Sequence, residues 1–220
     1  MRTPEEYEIA LRTCTLCTAY LATKPVDPAN SEEIVVPRPI VRPLTPKPIM
    51  VIGQAPGLTE YRSGKPFSGP AGKALRNLFQ ECGCDPESFD RFVFTSAVAK
   101  CFPGSELRNG SLRRADLKPS DTMLTNCRPF LLAQITMVSP QVIVLFGKMA
   151  LEVYVEIRIG KKSKIRLEDF VGRVEDWDGR RVIPLAHTSG ASTWLNKPGN
   201  RALQNKAKEY LRNEFVILAK

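Results

Sequence analysis

The chain has 220 residues, with 32 Lys plus Arg against 23 Asp plus Glu and a formal net charge of +9. That length fits one core, no apolar run reaches the roughly 18 to 20 residues of a membrane span, and the opening Met-Arg-Thr-Pro-Glu-Glu lacks the apolar centre of an export signal. The expectation is a single domain over residues 1–220, cytoplasmic and with no membrane partner, whose basic balance suits a polyanion such as nucleic acid.

Tyr7, Leu11 and Cys14 recur at helical spacing behind Pro4, Glu5 and Glu6. This predicts a short helix from Thr3 to Cys17 that delivers Cys14 and Cys17 at its end. Between Lys24 and Pro48, the prolines at 25, 28, 37, 39, 43, 46 and 48 leave no room for a helix, and the stretch reads as a semi-rigid belt over the domain. Ile49 to Ile52 is a buried strand that breaks at Gly53-Gln54-Ala55-Pro56-Gly57. A polar loop then turns through Gly64 to Gly69 into a helix from Pro70 to Glu81. Phe92 to Ala99 is a second buried strand, running into Lys100-Cys101-Phe102-Pro103-Gly104 and a basic loop that reaches Lys118.

Pro119-Ser120-Asp121 caps a helix that extends to Val138. Gln141 to Phe146 is a third buried strand, followed by a helix from Gly147 to Val155. Val171 to Asp176 and Arg180 to Ala186 pair as a hairpin about Asp178-Gly179, and its second arm ends at His187-Thr188-Ser189-Gly190. Asn200 to Lys220 closes the chain as a helix. Strands alternating with helices predict a three-layer α/β/α fold with a central, mainly parallel four-stranded sheet.

Three strand ends carry unusual residues: Gln54 to Gly57, Ser96 to Cys101, and His187 to Ala191. In an open parallel sheet all three project from the carboxyl edge, where ligands bind. The glycines of the first let backbone approach a ligand, and Phe67 offers a flat apolar face beside them. Six cysteines in a chain expected to be cytosolic point to a metal or to catalysis rather than to disulfides. Cys14 and Cys17 form C-x-x-C, Cys82 and Cys84 form C-x-C, and Cys101 and Cys127 stand apart. His187 is the sole histidine, so any imidazole chemistry runs through it.

The stretches GQAPG (53–57) and SGKPFSGPAG (63–72), a lone cysteine after the second strand, and H-x-S-G at 187–190 together resemble the uracil-DNA glycosylase superfamily. The C-x-x-C pair with two distant cysteines is similar to its iron–sulfur branches, families 4 and 5. The resemblance implies a DNA repair glycosylase that flips uracil, or another deaminated base, out of the stack and cleaves its N-glycosidic bond. It implies a [4Fe–4S] cluster on Cys14, Cys17, Cys101 and Cys127. A four-cysteine zinc site has the same spacing, and both remain open. Cys82 and Cys84 match nothing in the family and read as bystanders.

By the same resemblance, His187 donates to the pyrimidine O2, Phe67 stacks on the flipped base, Ser189 anchors a phosphate, and Gln54 positions water and backbone. Ala55, Ser96 and Ala97 are expected among the substrate-binding residues, the last two at the base edge. Several positions depart from the pattern. Gln54 stands where family 4 carries an acidic residue, and Ala55 where family 1 carries its catalytic Asp. Ala97 falls where an Asn reads uracil, and Ala191 where relatives carry a leucine wedge, for which Trp194 or Leu195 can stand in. Glu60 is the nearest carboxylate in sequence. These departures keep two alternatives in view: a glycosylase for another lesion such as hypoxanthine, and a non-catalytic, cluster-bearing DNA-binding protein. The expected partner is lesion-containing DNA, held by a monomer through basic segments at Arg108 to Lys118 and Lys161 to Arg166.

Overall fold

A computed structural model describes residues 3–108, 113–187 and 193–218. Its centre is a sheet of five strands: β3 (Ile49–Gly53), β4 (Val93–Ala97), β7 (Val142–Phe146), β8 (Glu175–Trp177) and β9 (Arg180–Leu185), in the order β4-β3-β7-β9-β8. The first four are parallel, and β8 runs antiparallel to β9 at the edge. The sheet therefore has five strands rather than the four expected. The extra strand is the first arm of the predicted hairpin. Asp178 and Gly179 both have positive φ, the backbone of a two-residue turn that folds β8 directly back onto β9. That arm is shorter than the expected Val171 to Asp176.

Every residue of β3, β4 and β7 is buried, as parallel strands covered on both faces must be. Alternate side chains divide between two layers. Ile49, Val51, Val144 and Ile183 pack against α4 (Pro70–Glu81) and α8 (Pro198–Leu218) through Leu75, Phe79, Leu211 and Phe215. Met50, Ile52, Ile143 and Val182 pack against α6 (Asp121–Val138) and α7 (Lys148–Ile159) through Leu131, Ile135 and Leu151. The three-layer expectation holds. Among the described residues no helix is long and apolar enough to cross a membrane.

The flanks depart from the sequence reading. The first helix is shorter than expected: α1 (Pro4–Arg12) is capped by Thr13, whose N–H and hydroxyl both donate to the Ile9 carbonyl, and Cys14 follows it in a turn that ends at Cys17, the residue capping a second short helix, α2 (Thr18–Leu21). The proline belt contains a small hairpin, β1 (Pro25–Asp27) with β2 (Asn30–Ile34), turned by the Asp27 carboxylate accepting from the Ala29 N–H. The basic loop after the second strand is itself a hairpin of β5 (Ser105–Leu107) and β6 (Arg114–Asp116). Two short helices, α3 (Leu58–Ser63) and α5 (Phe89–Phe92), complete the chain.

Candidate active site and cysteine locus

The parallel register carries the three strand ends to one edge. Gly53 pairs with Ala97, Ile52 with Leu145, and Phe146 with Leu185. Ala97, Gly53, Phe146 and Leu185 therefore form one row across the carboxyl side, with neighbouring strands about 4.8 Å apart. Phe67 and His187 stand on adjacent members of that row. A Cβ built on Gly53 would lie 2.9 Å from Phe67 Cζ, so only glycine lets the ring rest on the end of β3. His187 lies against Phe146, ring centroids 4.6 Å apart, and 3.4 Å from where a Cβ on Gly147 would stand. Burial lowers the His187 pKa, which keeps the imidazole neutral at pH 7.

Phe67 is held in an unusual backbone state. Its φ of 53° is left-handed, which disfavours a bulky side chain. The surroundings impose it: α4 begins so close that a Cβ on Gly72 would lie 1.8 Å from the Phe67 carbonyl oxygen. Glu60 supplies the other restraint. Its carboxylate accepts from the Gly57 N–H at 3.0 Å and the Gly69 N–H at 2.7 Å, tying the loop after β3 to the loop that carries Phe67. Glu60 is thus a buried brace with both oxygens engaged, a role that sequence distance alone did not disclose.

Gln54 is half-buried at the edge, its carbonyl accepting from the Ala99 N–H, and its side-chain amide makes no hydrogen bond among the described residues. Ala55 turns away and packs against Cys101, Phe102 and their neighbours. Ala97 closes its strand in the row, with 9% of its surface exposed. Ser96 points elsewhere: its hydroxyl donates to Gln134 Oε1 and accepts from Lys100 Nζ, each at 2.6 Å, inside a buried network against α6. Ser189 and Ala191 lie outside the described residues. Trp194 is committed to Glu168, its indole N–H donating at 3.1 Å.

Two depressions flank this edge. One of about 500 Å³ lies on the outer side of the Phe67 loop, with Lys65, Lys73 and Arg76 among its walls. Another of about 570 Å³ is lined by Lys148, Glu152, Lys162, Lys164 and Arg166, with Lys148 paired to Glu152, Lys162 to Asp121 and Arg166 to Asp169. Lys148 directly follows Gly147, against which the His187 side chain lies.

The four cysteines singled out by the sequence gather at one locus beside the edge. Cys17, Cys101 and Cys127 are buried in one apolar cluster, and Cys14 is half-buried next to it. Burial pushes the Cys101 thiol up to about 12, with further contributions from Cys127, Cys17 and Cys14. Burial likewise raises Cys127, against the opposing Lys100 N–H and charge. Two of the sulfurs accept N–H groups: Cys127 from the Lys100 backbone at 3.4 Å and Cys17 from Asn126 Nδ2 at 3.6 Å. Among the described residues no three His, Cys, Asp or Glu side chains form a group suited to a single metal ion. Cys82 and Cys84 sit apart in the α4–α8 layer, as bystanders would.

The fold is an open, mainly parallel α/β sheet, with an aromatic ring and an imidazole resting against the ends of its two central strands. The chain belongs to the Uracil DNA glycosylase superfamily, which it matches over residues 41–212. It is 34% identical to the type-4 uracil-DNA glycosylase of Thermotoga maritima over 64% of this chain and 64% of that protein. It is 29% identical to the type-4 uracil-DNA glycosylase of Sulfurisphaera tokodaii over 78% of this chain and 71% of that protein. A third, from Saccharolobus solfataricus, is 28% identical over 77% and 74%. The chain thus spans less than two thirds of the Thermotoga relative.

Proposed function

We propose that the chain is a DNA repair glycosylase that removes uracil from DNA by flipping the base into the pocket between Phe67 and His187. One observation supports this reading: the Phe67 ring rests on Gly53 at the end of β3, and the His187 ring lies against Phe146 at the end of the neighbouring β7. As the N-glycosidic bond breaks, negative charge accumulates on the departing ring, and a donor aimed at it is the most valuable group in the site. His187, neutral, donates its N–H to the pyrimidine O2. Phe67 stacks on the base, its ring fixed by Gly53 and by the restraints of Gly72 and Glu60. Gln54 orients the attacking water and Ala55 lends backbone to the same loop, while Ser189 holds a flanking phosphate. Lys148, Lys162, Lys164 and Arg166 hold the strand.

Cys14, Cys17, Cys101 and Cys127 are read as the ligands of an iron–sulfur cluster. The fit rests on the donor set: four thiols at one locus, three of them buried, with N–H groups donating to two sulfurs, which suits thiolate ligation. When bound, the cluster would staple the α1–α2 turn to the end of β4 and to α6, and the bond cleavage itself would draw on none of its chemistry.

The test is purified protein with uracil-containing single- and double-stranded oligonucleotides. Abasic product from wild type, lost in His187→Ala, supports the reading; no product from either strand form overturns it. A wider lesion range is favoured by one further observation. Ala97 offers no amide to the base edge and the Ser96 hydroxyl is engaged by Gln134 and Lys100, so nothing from β4 rejects a base with a different edge. Excision from hypoxanthine-containing oligonucleotides measures that range.

A further inference from the structure

Departure of the base leaves a sugar cation, and the water that meets it at C1′ must hand a proton to an acceptor. The loop 53–57 offers no acceptor of its own, because Gln54 carries an amide and Ala55 a methyl group. Among the described residues, two carboxylates from elsewhere converge on Gly57 in this loop. A Cβ built there would lie 3.0 Å from Glu60 Oε2 and 2.6 Å from Asp116 Oδ2. Glu60 is taken, since each of its oxygens already accepts a backbone N–H. Asp116 differs: Arg114 donates to its Oδ1, while Oδ2 is the oxygen turned to Gly57. Its side chain is 39% exposed, so water has access to it.

The β5–β6 hairpin holds that carboxylate in place. Ser105 pairs with Asp116 and Leu107 with Arg114, so alternation puts Ser105, Arg114 and Asp116 on one face and Glu106 with Ala115 on the other. The Arg114 Nη1 that grips Asp116 also donates to the buried Ser105 Oγ at 2.7 Å. At the base of the hairpin the Leu117 N–H donates to the Gly104 carbonyl at 2.8 Å, and a Cβ on Gly104 would lie 2.7 Å from that of Lys24. A half-exposed ion pair contributes little to stability, so stability does not account for an aspartate aimed at the loop 53–57. We infer that Asp116 is a catalytic carboxylate of the glycosylase, a role that deepens the uracil reading and rests on it. The C1′–N1 bond breaks with its electron pair leaving on the base, where His187 donates to O2. The oxygen of the water oriented by Gln54 bonds to C1′, and one of its protons passes to Asp116, whose negative charge faces the sugar cation until then. That proton ends on the departed base, giving free uracil and an abasic sugar with a hydroxyl at C1′.

The test compares Asp116→Asn with wild type in single-turnover excision from uracil-containing oligonucleotides, with oligonucleotide affinity and melting temperature measured on each protein. Asparagine keeps the shape and can still accept from Arg114, so affinity and fold should hold while the rate falls by about a hundredfold or more, the usual worth of a general base. Gln54→Glu places a carboxylate on the same loop and should raise the rate of Asp116→Asn by a larger factor than it raises wild type. Excision by Asp116→Asn at the wild-type rate overturns the inference. So does a fall matched by lost affinity or a lower melting temperature, which is what a merely structural Arg114–Asp116 pair would give. An equal gain from Gln54→Glu in both backgrounds overturns it as well. Wild type without product overturns the glycosylase reading, an outcome separate from these.

Discussion

The pocket edge and the cysteine locus lie side by side but are built by opposite means. At the edge, backbone and shape decide: Gly53 admits the Phe67 ring, Gly72 admits the Phe67 carbonyl, and His187 packs where Gly147 has no side chain. At the cysteine locus, side chains decide: four thiols, the buried Lys100 and Gln134, and N–H donors aimed at sulfur. The difference teaches where the chain can tolerate change. Gln54 is half-buried on a frame that the backbone maintains without its side chain, so its chemistry can vary at small structural cost. No group at the cysteine locus has that freedom.

The largest effect is expected on the cysteine side. Cys127→Ser should lose iron and lower the melting temperature together, because metal binding and folding are linked; a melt with iron analysis checks both, and an unchanged melt would place the locus outside the folding core. At the edge, His187→Ala should lower single-turnover uracil excision by about a hundred- to a thousandfold with the melting temperature held, which is the sharpest separation of the two regions. Phe67→Ala should weaken the excision complex by about 1 to 3 kcal/mol, the worth of one base stacked on an aromatic ring, read from the concentration dependence of the same assay.

Smaller still is Gln54→Glu, which should leave the fold intact and raise the excision rate if water activation limits it; rates across a pH series give the answer. The smallest effect is a pH shift. Burial depresses the His187 pKa, so the folded chain holds the neutral form to a lower pH than the unfolded chain, whose histidine takes up its proton near 6.5. Stability linked to this group is present above pH 6.5 and drains away as pH falls through the folded pKa. The acid limb of the excision rate should follow the folded value, below 6.5. As the only histidine, it gives a single imidazole resonance for proton NMR to titrate directly.

Much of the frame was legible in residues. The apolar run ending in Gly53, the Pro70 start of α4, the Ser120 cap of α6 and the Asp178-Gly179 turn each carry a local cause that folding preserves. The gathering of the strand ends at Gly53, Ala97 and Leu185 followed from strand parallelism, because parallel strands share one carboxyl edge. What could not be read was long-range. Ser96 faces α6 rather than the base because Gln134, 38 residues away, takes its hydroxyl, and no pattern marks a lysine destined for burial. Glu60 acts as a brace because Gly69 comes back to it across a nine-residue separation. The helix break at Thr13 hides in a side chain that helices otherwise accept, so the Cys14–Cys17 turn was assigned to a helix end.

The contact of Gly72 with the Phe67 carbonyl has a practical consequence for anyone who would redesign this pocket. Backbone lies on both sides of that contact, so no rotamer change elsewhere can make room for a methyl group. A library that randomises the walls to change lesion preference should return many residues at 54, yet only glycine at 72. That position marks the boundary between what selection can edit here and what it must inherit.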